Sequence, residues 1–168
     1  MLRVVDIVEG TSVDGAGLRT AIYTAGCAHA CPGCHNPETW PFDSGREVSG
    51  EELMSIVERN GFNVTFSGGD PMYQAEAIVP FARELKNRGY DIWCYTGFTF
   101  EQLLERPDAL RLMRFIDVLV DGPFVENLRD PDLRFHGSSN QRIIDVQASL
   151  AAGQAIEATR YTCDPYSK

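Results

Sequence analysis

Four apolar runs of strand length, each ending in a glycine-containing turn, alternate along this chain with segments of helical period. No other feature restricts the fold as strongly. The runs are Arg19 to Ala25, closed by Gly26; Asn63 to Phe66, closed by Ser67-Gly68-Gly69-Asp70-Pro71; Asp91 to Tyr95, closed by Thr96-Gly97; and Asp117 to Val120, closed by Asp121-Gly122-Pro123. Between the first two, Ser49 and Glu52 form a capping-box pattern ahead of Leu53, Ile56 and Val57, and Asn60-Gly61 supplies the stop. Ile78, Val79, Ala82 and Leu85 mark a second helix ending at Gly89, and Thr99 with Gln102 repeats the capping box before Leu103 and Leu104. Pro107 breaks that helix and another follows. Leu2 to Val8 adds a short strand at the start, and Arg142 to Asp145 a last one, with Asp145 capping a short helix that Gly153 ends.

Strands alternating with helices predict an α/β fold with a parallel sheet and right-handed crossovers, as an open doubly wound sheet or a partial barrel. The C-terminal strand ends, where such folds bind ligands, carry Cys27 to Cys34, Gly68 to Pro71, Thr96-Gly97 and Asp121-Gly122, so four loops converge on one rim. A chain of 168 residues is long enough for one core and too short for two ordinary ones, which predicts a single domain over residues 1–168. The polar segment from Val125 to Gln141 reads as a long surface loop.

Hydrophobic residues make up 43% and charged residues 23%, which fits a globular chain and not a disordered one. A formal charge of −9 opposes the attraction to phosphate on which nucleic-acid binding depends, so no nucleic-acid partner is expected. The N-terminus lacks the apolar run of a signal peptide, and no stretch approaches the roughly 18 apolar residues of a membrane helix. A cytoplasmic protein without a membrane partner is the expectation.

Three of the five cysteines, Cys27, Cys31 and Cys34, fall in a C-x3-C-x2-C cluster, while Cys94 and Cys163 stand alone. Such clustering argues for metal over a disulfide framework. Gly26, Pro32 and Gly33 allow the tight backbone that lets three thiolates face one point, and thiolates suit both iron–sulfur clusters and zinc. Three thiolates can hold three irons of a 4Fe-4S cluster and leave the fourth open. The zinc alternative is a structural site completed by His29 or His35. Cys94 alternates within a strand and reads as a small core residue. Gly68-Gly69-Asp70-Pro71 is compatible with an ordinary strand-to-helix turn; read functionally, its glycines let backbone carbonyls approach a ligand, and Asp70 complements an ammonium.

The cysteine cluster followed by His35, together with Ser67-Gly68-Gly69-Asp70-Pro71, resembles the radical S-adenosylmethionine superfamily. Asp14-Gly15-Ala16-Gly17-Leu18-Arg19 resembles a segment of its glycyl-radical-activating branch. Trp40, Val118 to Phe124, Leu128-Arg129-Asp130-Pro131 and Gly137 to Arg142 look like the activating proteins of anaerobic ribonucleoside-triphosphate reductase. The resemblance spans nearly the whole chain. Two departures are small: Ala16 stands where many activases carry proline, and His35 where tyrosine is also common. No role attaches by resemblance to the stretch after Gly153, Cys163 included.

The resemblance implies a partial (β/α) barrel of the radical S-adenosylmethionine type. It implies that Cys27, Cys31 and Cys34 ligate three irons of a 4Fe-4S cluster, and that the amino and carboxylate groups of S-adenosylmethionine chelate the fourth. Gly33, Cys34 and His35 would meet its adenine, Gly68, Gly69 and Asp70 its ammonium, and Thr96 its ribose or carboxylate. Reductive cleavage would give a 5′-deoxyadenosyl radical that takes a hydrogen atom from a glycine of the reductase, with a one-electron donor such as a reduced flavodoxin. Orientation and exclusion of water would be the protein's part, and no acid–base pair is required, so His29, His35 and His136 are read equally as surface or packing residues. The loop from Arg129 to Arg142 is a candidate docking surface or a merely solvated charged loop. Two alternatives stand beside this reading: an activase of another glycyl radical enzyme such as pyruvate formate-lyase, and a zinc-stabilised binding module.

Overall fold

A computed structural model describes residues 1–162; Cys163 lies outside them. Strand β1 (Leu2–Thr11) and strand β2 (Arg19–Thr24) are joined by a seven-residue loop, 12–18, which is too short for a crossover. They pair antiparallel, and the short β3 (Arg46–Val48) pairs antiparallel on the other side of β1. Helix α1 (Gly50–Asn60) leads into β4 (Asn63–Gly68), α2 (Ala75–Asn87) into β5 (Ile92–Tyr95), and α3 (Phe100–Leu104) with α4 (Pro107–Met113) into β6 (Val118–Asp121). Strand β7 (Arg142–Asp145) follows, then α5 (Val146–Ala152) and the single turn α6 (Thr159–Thr162).

The seven strands form one sheet in the order β3-β1-β2-β4-β5-β6-β7. Only the middle four, β2, β4, β5 and β6, run parallel; β7 returns antiparallel against β6, with Val118 opposite Asp145 and Asp121 opposite Arg142. The expected all-parallel sheet is therefore corrected to a mixed one. Segment 122–141 carries no α-helix, so nothing lifts the chain over the sheet to re-enter in the same direction. The strand at the N-terminus is also longer than the sequence pattern suggested, extending to Thr11.

The helix boundaries follow their local chemistry. Ser49 caps α1 by accepting from Glu52 N, and Gly61 ends it at φ 69°. Glu52 does not close the box, because Arg46 takes its carboxylate at 2.6 Å; Thr99 and Gln102 make both arms of theirs. Asp145 accepts from Ala148 N, and Gly153 stops α5 at φ 70°. Among the described residues no helix is long and apolar enough to cross a membrane.

The two faces of the sheet are covered differently. One carries the main core, in which Leu53, Val57, Ile78, Phe81, Leu85 and Leu112 from the helices pack on Ile22, Phe66, Cys94 and Leu119. The other holds Trp93, Val118, Val120 and Ile143, covered by Ala16, Tyr95, Phe135 and Tyr161. Ala16 and Phe135 come from loops, Tyr95 from β5 and Tyr161 from α6, and Arg19 holds the first of them down. Its side chain is 1% exposed. Its guanidinium donates to Thr65 Oγ1 at 2.8 Å, Ala16 O at 2.9 Å, Val64 O at 2.9 Å and the Asp91 carboxylate at 2.8 Å, and lies over the Trp93 ring. Gly15 passes so close that a Cβ there would stand 2.7 Å from Arg19 Cδ. The Asp14-to-Arg19 motif is thus a loop stapled across the sheet from beneath.

Removing this buried cation leaves several carbonyls and a carboxylate without their donor. Arg19→Met is expected to lower the unfolding free energy by about 3 kcal/mol. Asp91 is 37% exposed, so Asp91→Asn is expected to cost less than about 1 kcal/mol. Urea unfolding of both variants followed by circular dichroism checks the ordering; equal losses would contradict it.

Candidate metal centre and ligand cavity

Beyond the end of β2 the chain leaves the sheet as a loop zipped at its base. Gly26 N donates to Thr39 O at 2.8 Å and Cys27 N to Trp40 O at 3.0 Å, so the residues between form a closed excursion. Within it Ala30 takes a left-handed conformation, φ 49°, and Gly33 another, φ 76°, while Cys34 N donates back to Cys31 O at 3.1 Å. A left-handed alanine is costly and persists where the surroundings demand it. These turns place Cys27, Cys31 and Cys34 on the wall of one cavity of about 190 Å³.

The opposite wall comes from the strand ends: Gly68 and Gly69 at the end of β4, Tyr95, Thr96 and Gly97 at the end of β5, and Gly122 after β6, joined by Phe124, Gly137 and Gln141. Close approach of the chains explains two of the glycines. A Cβ on Gly68 would lie 2.5 Å from Thr24 N, and one on Gly69 2.6 Å from Gly26 O. Of the residues expected in the site, Cys27, Cys31, Cys34, His35, Gly68, Gly69 and Thr96 border the cavity; Gly33 and Asp70 do not. Gly33 serves the turn and faces Glu126, where a Cβ would meet the carboxyl carbon at 3.0 Å.

Asp70 differs from expectation more instructively. Its side chain is fully buried, and its oxygens are taken. Oδ2 accepts from Thr96 Oγ1 at 2.9 Å and Gly97 N at 2.9 Å and lies 2.7 Å from His29 Nε2, while Oδ1 accepts from Met72 N at 3.0 Å. The carboxylate therefore clamps the cysteine loop and the loop after β5 to its own, and presents no free charge to the cavity.

Comparison with known proteins is concordant. A model of the 4Fe-4S single cluster domain matches residues 13–144. The anaerobic ribonucleoside-triphosphate reductase-activating protein of Haemophilus influenzae is 34% identical over 143 residues, which cover 78% of this chain and 90% of that protein. The protein of the same name from Vibrio cholerae is 37% identical over 143 residues, with the same shares covered. That of Enterobacteria phage T4 is 34% identical over 139 residues, covering 78% and 86%. The chain belongs to the family of anaerobic ribonucleoside-triphosphate reductase-activating proteins.

In this family member Cys94 and His29 are committed elsewhere, while His35 borders the cavity. Cys94 is buried in the main core, and His35 packs edge-on against Phe124 with ring centroids 5.6 Å apart. His29 is wedged between Gly97 and Phe98, its ring centroid 4.5 Å from that of Phe98; a Cβ on Gly97 would come within 2.6 Å of it. Among the described residues no three His, Cys, Asp or Glu side chains converge on one point as a single bound ion would require.

The expected docking loop is also partly committed. Arg142 is held by Asp121 at 2.6 Å and Glu101 at 2.7 Å, which raises its pKa further. Sequence reading missed His29 as a structural partner and Tyr95 and Phe124 as wall residues. Histidine two places after the first cysteine was visible, but its partner, 41 residues away, was not.

Burial raises the Cys27 thiol pKa above its ordinary value of 9.0, and the Asp70 charge and the other two thiols push the same way. Since the thiolate is the nucleophile, metal-free protein at pH 8 is expected to react with iodoacetamide at Cys27 more slowly than an unstructured peptide does. Asp70→Asn removes one raising charge and turns an amide N–H toward existing donors. It should speed that alkylation, cost about 2 kcal/mol of stability and accelerate amide exchange at Ala28 to Ala30. Unchanged exchange there would remove the clamp role from Asp70.

Proposed function

We propose that this chain is a radical S-adenosylmethionine enzyme that installs a glycyl radical in anaerobic ribonucleoside-triphosphate reductase. The observation that carries the reading is the cavity itself: three thiols on one wall, glycine-lined strand ends on the other, and no further donor offered to it by Cys94 or His29. This donor set fits a 4Fe-4S cluster held through three irons.

In this reading Cys27, Cys31 and Cys34 hold the cluster, and S-adenosylmethionine lies beside it against His35, Gly68, Gly69 and Thr96. Bound there, the two would supply one-electron reductive cleavage of the sulfonium carbon–sulfur bond, releasing methionine and providing a 5′-deoxyadenosyl radical able to take a hydrogen atom from a glycine of the reductase. Asp70 acts by positioning: it fixes Thr96, Gly97 and His29. The backbone at Gly68 and Gly69 can meet the ammonium without a side chain intervening. Gly33 shapes the cysteine turn. The sheet, with its parallel centre and converging loops, is taken as the partial (β/α) barrel of this enzyme class, in one domain. The partner is the reductase; the reductant is a small one-electron donor such as a reduced flavodoxin, and the compartment is the cytoplasm. Arg129 and Arg134, unlike Arg142, remain candidates for contact with the reductase.

Anaerobic reconstitution with iron and sulfide, reduction and addition of S-adenosylmethionine should yield 5′-deoxyadenosine in the wild type and none in Cys31→Ala. Adding the reductase should give a glycyl radical by electron paramagnetic resonance. A loaded cluster that forms no 5′-deoxyadenosine would leave an electron-transfer protein, and failure to take up iron would favour the zinc module.

A further inference from the structure

Three buried side-chain polar atoms among the described residues have no hydrogen-bond partner: Arg3 Nε, Trp93 Nε1 and Tyr95 Oη. Buried polar groups in folded proteins find partners as a rule, so each needs an explanation. Arg3 still donates through its other nitrogen to Asp43 O at 2.7 Å, and Trp93 is enclosed by Phe135 and Tyr161, with ring centroids at 5.2 and 4.9 Å. Tyr95 differs in bordering open space. It lines the cysteine cavity, and it also lines a second groove of about 640 Å³ formed with Val13, Asp14, Arg134 and Phe135. The two spaces share His35, Tyr95 and Gly137, so Tyr95 stands where one gives onto the other.

The phenol is a donor that lacks an acceptor. Burial raises its pKa far above the ordinary 10.0, and the Asp14 charge adds to this, so the hydroxyl keeps its proton. The nearby Asp14 Oδ2 is already used by Tyr23 Oη and Thr11 Oγ1, each at 3.0 Å. Among the described residues nothing completes Tyr95, and a molecule that does so must offer an acceptor where groove and cavity meet.

A glycine offers no side chain to grip. Only its peptide groups can define how its Cα hydrogens face a reacting centre, and hydrogen transfer depends steeply on that geometry. We propose that the Tyr95 hydroxyl donates a hydrogen bond to a backbone carbonyl of the glycine-bearing segment of the protein substrate, orienting the glycine where groove and cavity meet. Tyr95 is then a positioning residue for that substrate. This rests on the function proposed above.

Tyr95→Phe deletes the hydroxyl and keeps the ring. Two measurements test the proposal: the amount of glycyl radical formed on the reductase per 5′-deoxyadenosine released, and the melting temperature of the free protein. The ratio is expected to fall about tenfold or more, because a misplaced glycine lets the radical be quenched elsewhere. The melting temperature is expected to stay level or rise, because the free protein loses no bond. A wild-type ratio overturns the proposal. A melting temperature lowered by several degrees overturns it too, by revealing an internal partner for the hydroxyl. A wild-type protein that forms no glycyl radical overturns the functional reading, and the proposal with it.

Discussion

The Asp70 carboxylate is the constraint on which the site depends. A buried carboxylate is costly unless its lone pairs are filled, and here they are filled by donors drawn from three loops. That requirement couples segments far apart in sequence: His29 is 41 residues away and Thr96 is 26. Neither a neutral amide nor an alcohol could accept the same set, since each brings a proton of its own. The glycines follow from the clamp. With Asp70 drawn inward, Gly69 lies against Gly26 O and Gly97 against the His29 ring, and neither position has room for a Cβ. A motif that reads as ligand-binding is, at its acidic residue, a packing device that leaves its glycines to face the cavity.

The strand order explains why these loops meet. Apart from β3, each new strand from β2 to β6 is added on the same side of the last, so successive loops emerge side by side from one edge of the parallel centre. Helices cover one face, and loops and side-chain staples cover the other. A loop-covered face leaves space between its coverings, and the second groove beside Tyr95 is such a space. Arg19 ties the first loop, through Ala16, to β4 and to Asp91 just ahead of β5.

Much of this was legible in the sequence, and for physical reasons. Caps and stops act within four residues, so Ser49, Gly61, Thr99, Asp145 and Gly153 mark their helix ends where they stand. The three cysteines announced their shared cavity by spacing. Strand direction was less visible, because a period of two is the same in either direction; connection length carries that information, and loops 12–18 and 122–141 could have been read as lacking crossovers. The three-residue β3 is too short for any period to register. Asp70 was misjudged because residue type reveals a charge but not the donors that folding brings to it. Tyr95 was read only as the end of an apolar strand, since an unpartnered hydroxyl exists only in the assembled structure.

The irregular wall of the cavity shows how a chain without regular structure can still hold a shape. Between β6 and β7 the backbone is fastened by side chains at its two ends. Gln141 Oε1 accepts from Gly137 N at 2.9 Å and Ser138 N at 3.2 Å, while its Nε2 donates to Gly122 O at 3.0 Å. Asn140 donates to Pro123 O at 2.7 Å, and Val125 N donates to Ser138 Oγ at 3.2 Å. Arg142 closes the base by binding Asp121, whose other contact is Phe100 N at the start of α3. The amide and hydroxyl groups here do the work of a missing ladder, satisfying backbone groups that a strand or helix would pair internally. Phe124 and Gly137 are thereby held at the cavity, and the stretch between is fastened in turn by the bridge from Arg129 to Ser138 and by Phe135 packed on Trp93. A wall fastened in this way keeps its shape through particular side-chain bonds, where regular sheet would rely on its ladder.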